Sequence, residues 1–396
     1  MACIVQIGPF PLSSDRIQGG VEASVFGLAK AQSTMYEVHA FDIPRIGGNR
    51  VVENIEGVLV HRFCNQSGRQ FAAGRQVTVM AKEIQTLHPE VCHIHGTSLF
   101  AWLMYRELKR MKTPVIVTVH GLVRIEKLNA LKKSISAKKL FQYLYQGWVE
   151  KRFLSHLPAT IVDTEYVKSR VNQYPIRRKP VMYVIPQGID EAFYSLKCSK
   201  DSRMILSVGA IGERKGHLLT LKAFELAVNK GIDARLVIAG TIADKQYLEQ
   251  LQFAIAQSKY KTQISLFADL TDEALKQLYE KAHLFVLHSE EESQGIVFAE
   301  AMATGLPIVA TLVGGVPWVV GNGRNGLLSE YGDIEAFADN IQKLMSDTSL
   351  WKSMSVISSE AARAYHWYII SDRIIKLYHR HAPDFLRGSV LHHYTR

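Results

Sequence analysis

The stretch His283 to Val320, HLFVLHSEEESQGIVFAEAMATGLPIVATLVGGVPWVV, decides how the chain is organised. HLFVLHS is an apolar run with the length of a buried strand, and Gly295 to Thr304 has the Ala, Met and Glu content of a helix. Gly305 and Pro307 stop that helix, Ile308 to Ala310 reads as the next strand, and Gly314-Gly315 opens another turn. The unit is therefore βαβ. Its acidic loop, Ser289 to Gln294, lies on the ligand edge, where a strand ends and a helix begins.

Two carboxylates, Glu292 ahead of the helix and Glu300 within it, are separated by seven residues. That spacing puts them on the order of 8 Å apart along the helix axis, the scale of a nucleotide sugar. A diphosphate could face the helix N-terminus while a carboxylate on either side accepts hydrogen bonds from vicinal hydroxyls. Glu290, Glu291 and Glu292 alone would read as a solvated loop complementing the helix dipole. The surrounding order changes that reading. Two Glu flanking seven residues, followed by EAMA, Gly305 with Pro307, and a Gly-Gly turn, resemble the signature of the retaining glycosyltransferases of family 4.

The resemblance spans roughly residues 2 to 380 and implies an α/β chain of the GT-B class: two facing Rossmann-like domains with a C-terminal helix crossing back to the N-terminal domain. The expected divisions are residues 1–195 for the acceptor domain, 196–365 for the nucleotide-sugar domain, and 366–396 for the returning helix and tail. A length of 396 residues with 47% hydrophobic and 21% charged content supports two full cores. MACIVQIGPF lacks a basic leader and reads as a first buried strand, so the expected location is the cytoplasm, with a peripheral site on the membrane face. Cys3, Cys64, Cys92 and Cys198 show no metal-ligand spacing and suit a reduced compartment.

The net charge of +10 is unevenly placed, with 25 Lys/Arg against 14 Asp/Glu in residues 1–190 and 22 against 23 in the remainder. The N-terminal half therefore expects an anionic partner: a membrane surface, a nucleic acid or a phosphorylated substrate. Its strongest local feature is Leu122 to Phe153, which reads as a basic helix. There Arg124, Lys127, Lys132, Lys133, Lys138, Lys139, Lys151 and Arg152 interleave with Leu128, Leu131, Ile135, Leu140, Phe141, Tyr143, Leu144, Tyr145 and Trp148. Such a helix suits anionic headgroups. It equally suits a core-facing apolar stripe with solvated lysines.

Along the chain, strands and helices alternate, which predicts parallel sheets with candidate sites at strand C-terminal ends. Gly19-Gly20 precedes the helix VEASVFGLAKAQ, and Gly20 resembles the family's glycine beside the phosphates and the acceptor. PVIVTVHG ends in His120, which resembles the family histidine that contacts the donor sugar near the reacting carbon, and VCHIHG ends in His95, on the acceptor side. IPQGIDEAFY resembles the interdomain hinge, with Ser195 to Ser202 as linker. VGAIGERKGHLLTLKAF resembles the first phosphate-binding loop, which gives Lys215 the diphosphate. Ala210 stands where the family commonly has Arg, so either Arg214 substitutes from nearby or phosphate stabilisation is weaker.

The resemblance thus implies catalytic His120, Lys215 and Glu292, with Gly20, Arg214, Lys215, Gln294, Gly295, Ile296 and Glu300 on the donor. It implies transfer of a hexose-type sugar, with retention, from a UDP- or GDP-linked donor to a saccharide or lipid-linked acceptor in cell-surface polysaccharide biosynthesis. No cofactor is implied, no metal is required, and nucleic acid is not a partner. The alternatives are a nucleotide-sugar epimerase or hydrolase on the same fold, or a non-catalytic nucleotide-sugar-binding subunit. The second alternative finds its only support in Ala210.

Overall fold

CIVQIG is buried along its whole length and forms β1, Cys3–Gly8, at the middle of the first sheet. The computed structural model describes residues 1–14, 17, 19–42, 45–46, 50–65, 72–133, 136–199 and 202–382. In chain order the further strands are β2 Glu37–Asp42, β3 Arg45–Ile46, β4 Val51–Ile55, β5 Val58–Arg62, β6 Cys64–Asn65, β7 Val91–His95, β8 Val115–Val119, β9 Ala159–Val162 and β10 Val181–Val184. Eight of these form one sheet in the order β10-β9-β8-β7-β1-β2-β5-β4, while β3 and β6 pair separately. Every pairing in the large sheet is parallel except β4 with β5, which the tight turn at Glu56-Gly57 joins antiparallel. Parallel neighbours require crossovers, and helices such as Gly20–Ser33 and Leu99–Arg110 supply them.

The second sheet is wholly parallel. It contains β11 Met204–Val208, β12 Arg235–Gly240, β13 Ile264–Ala268, β14 Leu284–Leu287, β15 Ile308–Thr311 and β16 Gly326–Ser329, in the order β13-β12-β11-β14-β15-β16. β11, β14 and β15 are buried throughout, as expected of strands covered on both faces.

The chain divides into two compact units: residues 1–14, 21–186 and 367–396, and residues 15–20 and 187–366. The main division falls between Pro186 and Gln187, inside IPQGIDEAFY and ahead of the 195/196 position expected from sequence. The reason lies in the expected linker, where Cys198 N–H donates to Thr304 O at 2.9 Å and Ser199 N–H to Ala282 O at 3.0 Å. The described part of that segment is fastened to the second unit; residues 200–201 lie outside the described residues.

The terminal helix Trp367–His381 belongs to the first unit. Its Trp367 ring lies so close to Gly27 that a Cβ there would come within 2.1 Å of the indole nitrogen. The tail LHHYTR lies outside the described residues.

The basic stretch departs from expectation in one way. It breaks into helices Val123–Lys133 and Ala137–His156, the second capped by Ser136, whose hydroxyl accepts from Lys139 N–H at 3.2 Å. On that second helix Val149, Phe153 and Leu154 are buried, but Leu140, Phe141, Leu144, Tyr145 and Trp148 are exposed. The side chains of Lys132 and Lys133 lie outside those described.

Candidate functional site

In the second unit, the loop after β11 is shaped by two close backbone approaches. A Cβ on Gly240 would meet Gly209 O at 1.8 Å, and one on Gly216 would meet His288 O at 2.0 Å. Gly216 also has φ 64, a left-handed conformation that favours glycine. It closes the short turn Glu213–Lys215 and starts the helix His217–Asn229, whose N-terminus favours anions. His217, fully buried, donates from Nε2 to Gly209 O at 3.1 Å, with Nδ1 3.4 Å from Ser207 Oγ. Burial pushes its pKa down to about 4, so the ring is neutral and braces the loop.

This loop meets the acidic loop. Lys215 Nζ donates to Glu292 Oε1 at 2.5 Å. Arg214 Nη1 donates to Glu291 O at 2.9 Å and lies 3.6 Å from Glu292 Oε2. Glu290 N–H donates to Arg214 O at 2.9 Å, so the two loops are joined through backbone as well. From the other side, Gly315 N–H donates to Glu292 O at 2.7 Å, and Gly314 packs so closely that a Cβ would lie 2.0 Å from that oxygen. Arg214 thus stands beside Lys215 on one carboxylate. Two cations beside a helix N-terminus form an arrangement whose electrostatics suit an anion.

The helix Ile296–Ala303 begins at Gly295, whose φ of 77 suits glycine, and Ile296 is its first residue. Gln294, expected on the donor, lies just ahead of that helix. Its amide brackets the backbone of Gln187, accepting from N–H at 2.7 Å and donating to O at 3.1 Å. That amide ties the acidic loop to the backbone at Gln187.

Glu300, one turn further in, accepts from the Tyr279 hydroxyl at 2.7 Å through Oε2. Burial pushes its pKa up to about 7; Asp272 and Asp190 add to the rise, while the Tyr279 hydrogen bond and Lys276 oppose it. Lys276 Nζ is 2.6 Å from both Asp190 Oδ2 and Asp272 Oδ2.

The first unit gathers its own polar cluster at the C-terminal ends of β7, β8 and β9. His120, just past β8, has Nδ1 3.1 Å from Asp163 Oδ2 and Nε2 3.0 Å from His95 Nδ1. His95 Nε2 reaches Gln6 Oε1 at 2.8 Å, and His93 links Thr118 Oγ1 at 2.6 Å to the Tyr378 hydroxyl at 2.7 Å. A carboxylate and an amide oxygen only accept, so His120 Nδ1 and His95 Nε2 carry protons. Burial, followed by the neighbouring imidazoles, holds His95 well below the ordinary histidine range, and His93 falls to about 3. Both nitrogens of His120 are engaged within this unit. Gly20 opens the helix Gly20–Ser33.

Sequence reasoning missed His217, Tyr279 and Asp163. The signal for Asp163 was present, since it follows β9 directly, next to the strand that ends before His120.

Two family models match the chain: "Glycosyl transferases group 1" over residues 189–363 and "Glycosyltransferase Family 4" over residues 18–193. The mannosylfructose-phosphate synthase of Agrobacterium fabrum is 26% identical over 224 residues, which is 52% of this chain and 49% of that one. The chain thus spans about half the length of that curated relative. Sucrose-phosphate synthase from Thermosynechococcus elongatus superposes with a TM-score of 0.77 at 19% identity, covering 96% of this chain and 99% of that one. Anabaena HepE, solved in complex with UDP-glucose, gives 0.73 at 17%, covering 96% and 100%. At these identities the structural likeness is one of fold.

Proposed function

Because the chain belongs to the glycosyltransferases of group 1 and family 4 and has their GT-B fold, we propose that it transfers a hexose-type sugar, with retention, from a nucleotide sugar to a saccharide or lipid-linked acceptor. The observation that carries this reading is the convergence of Lys215, Arg214 and Glu292 beside the helix opened by Gly216, with Glu300 in the following βαβ unit. In this reading Lys215 and Arg214 bind the diphosphate, Glu292 accepts from sugar hydroxyls, and Glu300 accepts from ribose hydroxyls. His120 and His95 are the acceptor-side groups of the first unit.

The chemistry is a displacement on one face of the sugar. The bond from the anomeric carbon to the phosphate oxygen breaks, the departing diphosphate takes the proton of the acceptor hydroxyl, and that hydroxyl oxygen forms the new bond. Charge grows on the diphosphate as it leaves, so Lys215 and the loop amides lower the barrier most where they are already placed. No separate protein base and no metal are part of this scheme. The setting we propose is cell-surface polysaccharide synthesis.

UDP and GDP are the nucleotides to try first. The test is thermal unfolding of the purified chain with UDP, GDP, ADP and their sugars, followed by acceptor-dependent product formation. A shift with one nucleotide, lost in Glu300→Ala, supports the reading. Free monosaccharide or an altered nucleotide sugar in place of a transfer product would favour a hydrolase or epimerase, and binding without turnover would favour a non-catalytic subunit.

The reading extends to a membrane face. Leu140, Phe141, Leu144, Tyr145 and Trp148 form an exposed ridge along Ala137–His156, with exposed Lys138 at one end and Lys151 and Arg152 at the other. An apolar ridge bounded by cations suits the headgroup region of an anionic bilayer. No helix among the described residues is long and apolar enough to cross a membrane. Phe141→Ser with Trp148→Ser should abolish sedimentation with phosphatidylglycerol vesicles, and undiminished sedimentation would remove this element of the proposal.

A further inference from the structure

We propose that Tyr279 is a positioning residue of the nucleotide site: its hydroxyl holds Oε2 of Glu300 so that the remaining carboxylate lone pairs receive a vicinal diol, and diol binding expels a proton. The inference rests on the reading of Glu300 as the ribose ligand and adds how that ligand is prepared.

Tyr279 is fully buried, its ring edge-on to Phe193 at 5.2 Å and parallel to Phe285 at 5.9 Å. The aromatic contacts fix the ring, and the ring fixes the hydroxyl against Glu300. Burial, with the Glu300 charge second, holds the phenol well above its ordinary range, so it remains a donor at every working pH. A donor to a carboxylate favours the ionised form.

Three charged groups surround the pair. Asp272 and Lys276 lie on the same helix as Tyr279, and Asp190 lies on the segment after β10. Lys276 sits 2.6 Å from each aspartate, so its positive charge is already matched and one negative charge is left over. Burial and that surplus charge raise the Glu300 carboxyl; Tyr279 and Lys276 lower it, and the balance falls at about 7.

A diol donates two hydrogen bonds, which an ionised carboxylate accepts and a protonated one answers poorly. Binding therefore selects the carboxylate, and the balance near neutral pH is carboxylic acid plus diol going to the carboxylate–diol complex plus one proton.

The experiment is calorimetric titration of UDP and of 2′-deoxy-UDP into the wild type, Tyr279→Phe and Glu300→Gln, from pH 6 to 8.5 in two buffers of different ionisation enthalpy. In the wild type, UDP affinity should rise up to about tenfold per pH unit below the midpoint and level off above it, with proton release detected near pH 7. Tyr279→Phe removes a donor to the charged form, so affinity at pH 7 should fall about three- to tenfold and the midpoint should move to higher pH. 2′-Deoxy-UDP should bind more weakly and show neither dependence.

Phe keeps the buried ring, and an unchanged unfolding midpoint confirms that the core is intact. Equal weakening of both nucleotides at every pH would overturn the inference, because a merely structural role does that. An unmoved midpoint in Tyr279→Phe, with UDP binding lost in Glu300→Gln, would also overturn it while leaving the ribose reading standing. Unchanged UDP binding in Glu300→Gln would overturn both.

Discussion

Lys215 Nζ stands 2.5 Å from Glu292 Oε1, so the cation read as the phosphate ligand is paired with the carboxylate read as the sugar ligand. An entering diphosphate must compete with Glu292 for that ammonium. Glu292→Gln should therefore strengthen UDP binding about three- to tenfold, since the competitor loses its charge, while turnover falls on the order of a hundredfold because a sugar contact is lost. UDP titration together with initial rates checks both. A variant that binds UDP more weakly than the wild type would contradict the competition.

The residues read as nucleotide ligands all belong to the second unit, whereas His120 belongs to the first. His120→Ala should lower turnover about tenfold or more and leave UDP affinity unchanged. Rates measured alongside UDP binding separate the two effects, and a matching loss of affinity would count against an acceptor-side role.

Five buried histidines have lowered values, His61, His217 and His288 to about 4, His93 to about 3 and His95 well below the ordinary range, with burial the largest cause in each. Their unfolded value is near 6.5, so as pH falls below that the unfolded chain takes up protons first. The stability they contribute is complete above pH 6.5 and declines towards pH 4, by about 1.4 kcal/mol per group per pH unit. Glu300 acts in the opposite sense: its contribution is present below pH 4.5 and is lost as pH rises through 7. The histidines outnumber it, so the thermal midpoint should be lower at pH 5 than at pH 7. Equal midpoints would mean that these rings are not neutral in the folded chain.

Gly216→Ala forces a methyl group to within 2.0 Å of His288 O at a φ of 64. The expected cost is about 2 to 4 kcal/mol, measured by denaturant unfolding, with UDP binding weakened because the loop must shift. Full stability would show that the approach of loop and strand end is looser than described.

The alternation of strands and helices was legible because buried parallel strands are continuous apolar runs punctuated by Gly and Pro, as in β14 and β15. The pairing of Glu292 with Lys215 was legible only as two separate motifs. The order β11-β14 in the sheet brings their loops together, and sheet order is a nonlocal property.

Tyr279 reads as an ordinary core position of an amphipathic helix. Nothing in its spacing announces a hydroxyl aimed at a carboxylate 21 residues away. Ala137–His156 shows the converse limit. Periodicity told which of Phe141, Leu144 and Trp148 share a face, but whether neighbours cover that face depends on the rest of the fold.

Tyr378, on the terminal helix, has its hydroxyl 2.7 Å from His93 and 3.3 Å from the Gln6 amide. On the ribosome, Gln6 of β1 and His93 of β7 must therefore wait for a helix made much later before the buried amide and imidazole acquire this partner. The second unit, nearly contiguous from residue 187 to 366, has no comparable wait. During synthesis the order of completion is thus the reverse of the order of emergence: the later unit can reach its final packing while the earlier one still carries unsatisfied polar groups in its interior.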